Sequence, residues 1–407
     1  MNATSLLPAL ACMLLALLTA SVLAKRDGLT LRDSPFPAID GARGYLAMLV
    51  FLHHASIWYF YARSGRWELP ASASQIQFGQ GRVALFFMVT SFIFSHKLLE
   101  VRQRQRPVDW LQLLVARVMR LAPLYFVVVA LMLVVVAILS DGVLHEPLPV
   151  LFKKIARWAG FTVFGSPDLN GVAGTRAILA GVTWPLPYEL FFYAVLPLLA
   201  GAIGVRTPPL VLALSAAMLI GIVALHPHLW TILPFASGVA AALLVRIGAL
   251  RRRLTGPLAG LACIACIGLV FAHFGTPNAP LPLLLLSLAF LIVACGNSLF
   301  GLLQMRLARV LGERAYSLYL LHGLLLFVLF TFVIGPERTS RLGLVEHWSL
   351  IAALTPALVW LSHLSHRWIE SPAIGRSRPL LHWLRFRFDR SLTRRPAGAA
   401  HAGASIG

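Results

Sequence analysis

Apolar stretches of about 20 residues recur along most of the chain, and they constrain its fold more than any other feature. A helix of that length matches the hydrocarbon core of a bilayer. Eleven such runs lie at 5–24, 44–63, 81–99, 121–140, 186–205, 209–225, 229–245, 257–273, 280–300, 315–335 and 348–366. They show no alternation with a period of two, which would indicate strands. The sequence therefore predicts an all-α polytopic transmembrane bundle of about eleven spans.

The composition excludes the other broad classes of protein. Hydrophobic residues make up 58% of the chain and charged residues 12%. A soluble enzyme of this length needs more polar residues to cover its surface, and a disordered chain contains fewer apolar ones. The formal net charge of +20 would suggest a nucleic-acid partner in a soluble protein. In a membrane protein it indicates topology and attraction to anionic lipids, so we expect lipid contact and no nucleic acid.

The cations are distributed unevenly between the two sides of the predicted bundle. Of the 35 Lys and Arg residues, 26 fall in segments on one side and nine in segments on the other. The positive-inside rule makes the cation-rich side cytoplasmic, which places the N-terminus outside and the C-terminus in the cytoplasm. The first run lacks a preceding basic segment, which favours an uncleaved helix over the alternative of a cleaved secretory signal.

Four cysteines offer neither a disulfide framework nor a metal site. They all lie inside apolar runs, at Cys12, Cys263, Cys266 and Cys295. Cys263 and Cys266 have CxxC spacing, but no second pair of ligands accompanies them. We expect these thiols to face lipid, and we expect no bound metal.

Ionisable residues inside a span are costly, so each is a functional candidate. Arg43 and His54 are eleven positions apart, which places them on one helical face with His54 about 16 Å further into the membrane. That stripe would suit a long anionic donor entering from the cytoplasm. A hydrogen-bonded packing role for His54 is an equally good interpretation of the residues alone.

Three further groups are candidates for the same reason. Arg117 and Arg120 lie one turn apart at the cytoplasmic edge, where they would clamp phosphates or simply anchor the helix. Glu189 is a carboxylate within the membrane, only about four residues below the predicted outer surface. It needs a partner or a proton, and a structural ion pair is the alternative. Tyr319 and His322 share one helical face, with His322 at about the depth of His54.

The order of these motifs resembles acyltransferase family 3, a family of integral-membrane O-acyltransferases. Its opening pattern is similar to Asp40-Gly-Ala-Arg43-Gly followed by His54. Five further motifs follow in the family's order: 81–92, Arg117-x-x-Arg120-x-x-Pro123-x-Tyr125, Trp184 to Tyr193, Tyr316-Ser-Leu-Tyr319-Leu-x-His322 and Arg367-x-Ile-Glu-x-Pro372. No single motif is decisive, but six in order over residues 36–375 make the resemblance strong.

The family core is taken as ten spans with both ends cytoplasmic, which divides this chain into three parts. Residues 1–35 are then an extra N-terminal transmembrane helix and linker, and residues 36–375 the acyltransferase domain. Residues 376–407 are a basic, flexible cytoplasmic tail. The chain departs from the family pattern in three of its motif features, with Ala84 in place of Asp, Thr90-Ser91 in place of Ser-Gly, and Pro185 and Pro187 in place of two serines. These departures concern acceptor binding more than activity.

The resemblance implies transfer of an acyl group, most often acetyl from acetyl-CoA, to a hydroxyl of a saccharide or glycan at a bacterial-type inner membrane. His54 and Glu189 are then expected to be catalytic, with His54 as general base or transient acyl carrier and Glu189 as its orienting carboxylate. The CoA phosphates are expected to meet Arg43, Arg117 and Arg120. The expected substrate-binding residues are Trp184, Tyr316, Tyr319 and His322. Acyl-CoA is a substrate here, and no permanently bound cofactor is expected.

Two other functions compete with this interpretation. A transporter or flippase for a lipid-linked saccharide would also need many spans and buried polar groups. Such proteins usually contain inverted repeats with broken helices, which this sequence does not show. A membrane sensor or scaffold with a degenerate site is the third possibility, and the Ala84 departure keeps it open.

Overall fold

The computed structural model describes residues 6–31, 33–67, 77–225, 229–277 and 279–393. Helices make up most of this described chain, and no β-strand forms within it. The predicted all-α bundle is therefore confirmed.

The first half of the chain contains six α-helices, one π-helical turn and one 3₁₀ turn. The helices are α1 (Leu6–Arg26), α2 (Pro37–Ser64), α3 (Arg82–Gln103), α4 (Trp110–Leu139), α5 (Leu148–Ala159) and α6 (Leu186–Ala202). A π-helical turn, Gln77–Gly81, leads into α3, and a 3₁₀ turn, Thr175–Leu179, precedes α6.

The second half continues in the same way. Its helices are α7 (Pro209–Leu225), α8 (Leu229–Leu244), α9 (Gly248–Leu254), α10 (Pro257–His273), α11 (Pro280–Ala294), α12 (Arg306–Glu313), α13 (Ala315–Phe327), α14 (Pro336–Arg341), α15 (Leu344–Ser365), α16 (Ser371–Gly375) and α17 (Ser377–Thr393). A 3₁₀ turn, Leu302–Gln304, precedes α12. π-Helical turns follow α13 at Val328–Val333 and α15 at His366–Glu370.

A helix lies at each of the eleven predicted spans, but their lengths differ. Within the described chain, five segments are long and apolar enough to cross a membrane on their own: Leu7–Arg26, Gly79–Gln103, Trp110–Leu139, Ala315–Val333 and Leu344–Arg387. A sixth forms if Thr231–Leu244 and Gly248–Leu254, which meet at 109°, count as one broken span. Helix α2 has 28 residues, about 42 Å, but its paired histidines lower its hydropathy.

Helix α1 presents small residues to the bundle and large ones away from it. Cys12, Ala16 and Ala20 recur every four positions and are fully buried, whereas Leu14 and Leu18 are each 61% exposed. The buried face packs mainly against α15 and α12. The extra N-terminal helix is therefore seated on the bundle along a narrow stripe and turns its leucines outward.

Helices α2 and α12 approach so closely that only glycine fits between them. A Cβ at Gly312 would lie 1.9 Å from the Asp40 carbonyl oxygen, and one at Gly44 would lie 2.5 Å from that of Ala308. This contact fixes the start of α2, and with it Arg43, against the rest of the bundle.

The segment before α6 enters the bundle instead of staying at its surface. Ala177, Ile178 and Leu179 are almost completely buried. A Cβ at Gly323 of α13 would lie 2.4 Å from the Leu179 backbone, so the segment lies directly on α13. Helix α6, which follows this segment, has only 17 residues.

The remaining predictions about the ends and the cysteines have mixed outcomes. Cys263 and Cys266 are free thiols buried between α10 and α11, so they pack against protein and not against lipid. The predicted flexible tail begins as a regular helix, α17, whose Arg385 forms an ion pair with Asp109 before α4. Residues 394–407 lie outside the described chain.

Candidate active site

A cavity of about 470 Å³ opens at the cation-rich end of the bundle, and we call it the arginine chamber. Its wall combines four arginines with acidic and aromatic groups. The ionisable lining residues are Asp33, Asp40, Arg43, Arg117, Arg120, Glu189, Tyr193, Arg309, Glu313, Tyr316, Tyr319 and His366. Guanidinium groups converging from α2 and α4 form a site suited to a polyanion.

A second cavity of about 480 Å³ lies on the other side of the bundle, and we call it the histidine chamber. It is lined by imidazole, aromatic and hydroxyl groups. The lining residues that matter below are His53, His54, Trp67, Gln80, Thr162, Ser166, Arg176, Thr183, Trp184, Tyr188 and Tyr319. No carboxylate is found among its described lining residues.

Two side chains separate the chambers. Val83 of α3 and Tyr319 of α13 line both cavities. The Tyr319 hydroxyl donates a hydrogen bond to the Val182 carbonyl at 2.5 Å, which ties the ring to the buried segment before α6. The phenol therefore forms part of a thin wall between the chambers.

His54 and His322 are in direct contact at this wall. Nε2 of His322 lies 3.0 Å from Nδ1 of His54, and the ring centroids are 5.0 Å apart. Nδ1 of His322 lies 3.1 Å from the Leu318 carbonyl, and Nδ1 of His54 lies 3.0 Å from the Val50 carbonyl. A carbonyl accepts only, so both Nδ1 atoms carry hydrogen.

One assignment of the hydrogens makes all three contacts hydrogen bonds, with the Nδ1–H of His54 shared between the Val50 carbonyl and Nε2 of His322. His322 donates from Nδ1, so its Nε2 is bare and accepts from His54 Nδ1–H. Nε2 of His54 then carries a lone pair, and His54 lines the histidine chamber. The arrangement leaves one basic nitrogen available for a hydroxyl proton.

Glu189 lies at a different depth from the one the sequence suggested. The span prediction placed it near the outer surface, but the structure places it in the arginine chamber with Arg43 and Arg120. Its carboxylate accepts a hydrogen bond from Tyr193 one turn later. His322, and not Glu189, occupies the position that orients His54.

The predicted site residues otherwise gather around these two cavities. The arginine chamber holds Arg43, Arg117, Arg120, Glu189 and Tyr316, and the histidine chamber holds His54 and Trp184. Tyr319 borders both, and His322 is buried behind His54. Tyr316 donates to the Leu121 carbonyl at 2.7 Å, which joins α13 to α4. The chemical roles assigned to these residues stay predictions.

Several lining residues were not foreseen from the sequence. His366 enters the arginine chamber from the π-helical turn after α15, a local widening that amphipathic spacing does not reveal. Trp67 stacks nearly parallel to His54, with ring centroids 6.4 Å apart. Arg82 lines neither chamber, but its burial was also unforeseen: the sequence counted it with the outer loop, and the structure leaves 1% of its surface exposed.

The chain around the histidine chamber holds unusual backbone conformations. Thr162 and Ala180 line the chamber and have φ angles of 55° and 51°, which are unfavourable for residues with a Cβ. Such strain persists only where packing holds it, and it concentrates at functional sites. The segment 160–184 is therefore best explained as a shaped wall and not as a passive connection.

Comparison with known proteins identifies the family to which the chain belongs. A family model described as an acyltransferase domain matches residues 36–365. The search of curated proteins and the search of solved structures gave no match. The matched range begins just before α2 and leaves α1 outside.

Proposed function

The chain belongs to acyltransferase family 3, and we propose that it transfers an acyl group from a cytoplasmic acyl-CoA to a hydroxyl of a saccharide. The observation that supports this most is the pair of chambers that meet at Val83 and Tyr319, with His54 in the lining of one of them. One chamber carries the cations that a nucleotide donor needs. The other carries the aromatic and hydroxyl groups that suit a sugar.

The donor occupies the arginine chamber in this proposal. Arg43, Arg117 and Arg120 face the same space, and guanidinium groups bind phosphates through paired hydrogen bonds. Helix α2 is unbroken from Pro37 to Ser64, so His54 lies about 16 Å beyond Arg43 on the same face. The extended pantetheine arm of CoA runs along that face and brings its thioester to the wall between the chambers.

The reaction moves one proton from the acceptor hydroxyl to the CoA sulfur, and it replaces the thioester carbon–sulfur bond by an ester carbon–oxygen bond. His54 Nε2 takes the proton of the acceptor hydroxyl while its oxygen attacks the thioester carbonyl carbon. The carbon–sulfur bond breaks, and the CoA thiolate takes the proton from the imidazolium. His322 accepts from His54 Nδ1–H throughout and keeps the ring in place. Positioning contributes about 7–11 kcal/mol to such a reaction, and a general base about 10²- to 10⁴-fold in rate.

The proposal includes an orientation in the membrane. The arginine chamber lies at the end where most Lys and Arg residues fall, so that end faces the cytoplasm and its pool of acyl-CoA. The histidine chamber then faces the outside of a bacterial-type inner membrane. The acetyl group crosses the bilayer inside the protein, while the CoA stays on the cytoplasmic side.

The test uses the full-length protein in vesicles with acetyl-CoA on the cation-rich side and a glycan extract on the other. The wild-type protein is expected to release free CoA thiol and to form glycan esters in equal amounts. His54→Ala is expected to abolish both while the protein still inserts and accumulates.

His273→Ala is the control, because His273 is an exposed histidine at the end of α10. It is expected to behave as the wild-type protein does. Near-normal turnover by His54→Ala would remove His54 from the mechanism. Ester formation without acetyl-CoA would refute the donor assignment.

A further inference from the structure

The histidine chamber contains a single permanently charged side chain among its described lining residues, and it is Arg176. We infer that Arg176 binds an anionic group, a carboxylate or a phosphate, on the saccharide that this chamber accepts. The inference rests on the proposed function, since it names the chemical class of the acceptor.

Arg176 differs from two neighbouring cations, Lys154 and Arg157, in having no recorded partner among the described residues. Lys154 forms an ion pair with Glu146 at 2.6 Å, and Arg157 donates through Nε to the Phe164 carbonyl at 2.6 Å. Arg176 forms no ion pair and no side-chain hydrogen bond with any described residue. Its guanidinium group is exposed at the chamber wall and is available to a ligand.

The backbone that carries Arg176 is held firmly. The Thr175 backbone N–H donates to Asp168 at 2.9 Å, and the Thr175 hydroxyl donates to the Val172 carbonyl at 2.8 Å. Thr175 and Ala177, on either side of Arg176, are buried. The guanidinium therefore starts from a fixed base, which lowers the entropy that a bound anion must overcome.

The remaining lining of the chamber suits a sugar ring. Trp67, Trp184 and Tyr188 offer aromatic faces, and Thr162 and Gln80 offer groups that hydrogen-bond to hydroxyls. A volume of about 480 Å³ matches a ligand of a few sugar units or fewer. Because no described lining residue is a carboxylate, no negative side chain there repels an anionic ligand. An acidic saccharide can pack its ring against the aromatic side chains and bind Arg176 through its anionic group.

The test compares three probes that differ in charge: methyl glucuronide, glucose 1-phosphate and neutral methyl glucoside. Binding to the purified full-length protein is followed by tryptophan fluorescence, since Trp67 and Trp184 line the chamber. We expect the wild-type protein to bind at least one anionic probe about tenfold or more tightly than methyl glucoside. Whichever of the two anionic probes binds more tightly shows whether the site prefers a carboxylate or a phosphate.

Variants assign the preference to Arg176. Arg176→Gln is expected to bind all three probes equally, with unchanged affinity for methyl glucoside, and Arg176→Lys to keep part of the preference. Lys153→Gln removes one charge from the same surface outside the chamber and is expected to change nothing. Added salt is expected to weaken only the anionic probes.

The outcomes separate this inference from the proposed function. Equal binding of the three probes by the wild-type protein, or an equal loss for all three in Arg176→Gln, would overturn the inference. No acyl donor is present in these titrations. A protein that selects the acidic probe through Arg176 but releases no thiol from acetyl-CoA would therefore refute the transfer reaction alone.

Discussion

Nδ1 of His54 lies within hydrogen-bond distance of Nε2 of His322, at 3.0 Å, although 268 positions separate the two residues in the chain. The contact joins α2 to α13 at the wall between the two chambers. It replaces the carboxylate that usually orients a catalytic histidine by a second, neutral imidazole. The ring of His54 is held in one tautomer without any additional negative charge in the membrane.

The first prediction concerns this pair of histidines. His322→Ala is expected to lower kcat about 10- to 100-fold, by analogy with removal of the outer hydrogen-bond partner of a metal-bound histidine, with the KM for the donor unchanged. His322→Gln is expected to recover part of the loss, because its amide oxygen also accepts from His54. Steady-state release of CoA thiol measures both parameters.

His347→Gln serves as the control for removing a buried histidine. His347 lies within hydrogen-bond distance of the Ala55 carbonyl, at 3.0 Å, and lines neither chamber. It is expected to affect stability and to leave the kcat of the folded protein unchanged. A wild-type kcat in His322→Ala would show that the Val50 carbonyl alone orients His54.

The second prediction tests the donor site by shortening the donor. Arg43→Ala is expected to raise the apparent KM for acetyl-CoA about 10- to 100-fold, the worth of a charge-assisted hydrogen bond. With acetylpantetheine, which lacks the nucleotide phosphates, the same substitution is expected to have little effect. Arg338→Ala, an exposed arginine on α14, is the matched control. Equal losses with both donors would place Arg43 away from the phosphates.

The third prediction concerns the attachment of α1. The hydrogen bond from His363 Nε2 to the Asp27 carboxylate, 2.7 Å long, holds the pKa of that carboxyl below its usual value, with help from Arg367. A lowered pKa stabilises the folded protein above the unfolded value of about 3.9 and loses its effect as the pH falls through the folded value. Asp27→Asn is therefore expected to lower the melting temperature at pH 7.

The difference between Asp27→Asn and the wild-type protein is expected to shrink as the pH falls below about 4. Thermal unfolding in detergent micelles between pH 7 and pH 3 measures it. Glu337→Gln, an exposed acid on α14, is the control and is expected to show no such trend. A deficit in Asp27→Asn that stays constant to pH 3 would argue against the ion pair as its cause.

The fourth prediction concerns the contact between α2 and α12. Gly312→Ala places a methyl group 1.9 Å from the Asp40 carbonyl oxygen, so the helices must separate. We expect a loss of about 3 kcal/mol or more in the free energy of unfolding, seen as reduced folded yield. Gly268→Ala on α10 meets no heavy atom within 4 Å and is expected to be tolerated. Equal yields for the two variants would disprove the close contact.

Helical periodicity predicted much of this site from the sequence. Arg43 and His54 share one face of an unbroken helix, as their spacing indicated, and Tyr319 and His322 lie one turn apart on α13. The family model confirms the resemblance read from the ordered motifs. Local spacing succeeded where the relevant residues belong to one continuous helix.

Features that depend on how distant segments pack together could not be predicted from the sequence. The depth of Glu189 was misjudged because hydropathy cannot show that residues 175–182 enter the bundle before α6. The contact of His54 with His322 depends on how two distant helices pack. His366 reaches the arginine chamber through a π-helical turn, whose wider spacing a regular helical projection does not include.

The thinness of the layer formed by Val83 and Tyr319 has an electrical consequence. When both chambers are filled with water, the transmembrane voltage is concentrated over the little material left between them. Any charge displaced through that layer works against almost the whole potential, at about 2.3 kcal/mol per elementary charge for each 100 mV. An energised cell would thereby exert a direct pull on protons and thiolates during turnover, and the phenol ring must also prevent ions from leaking across.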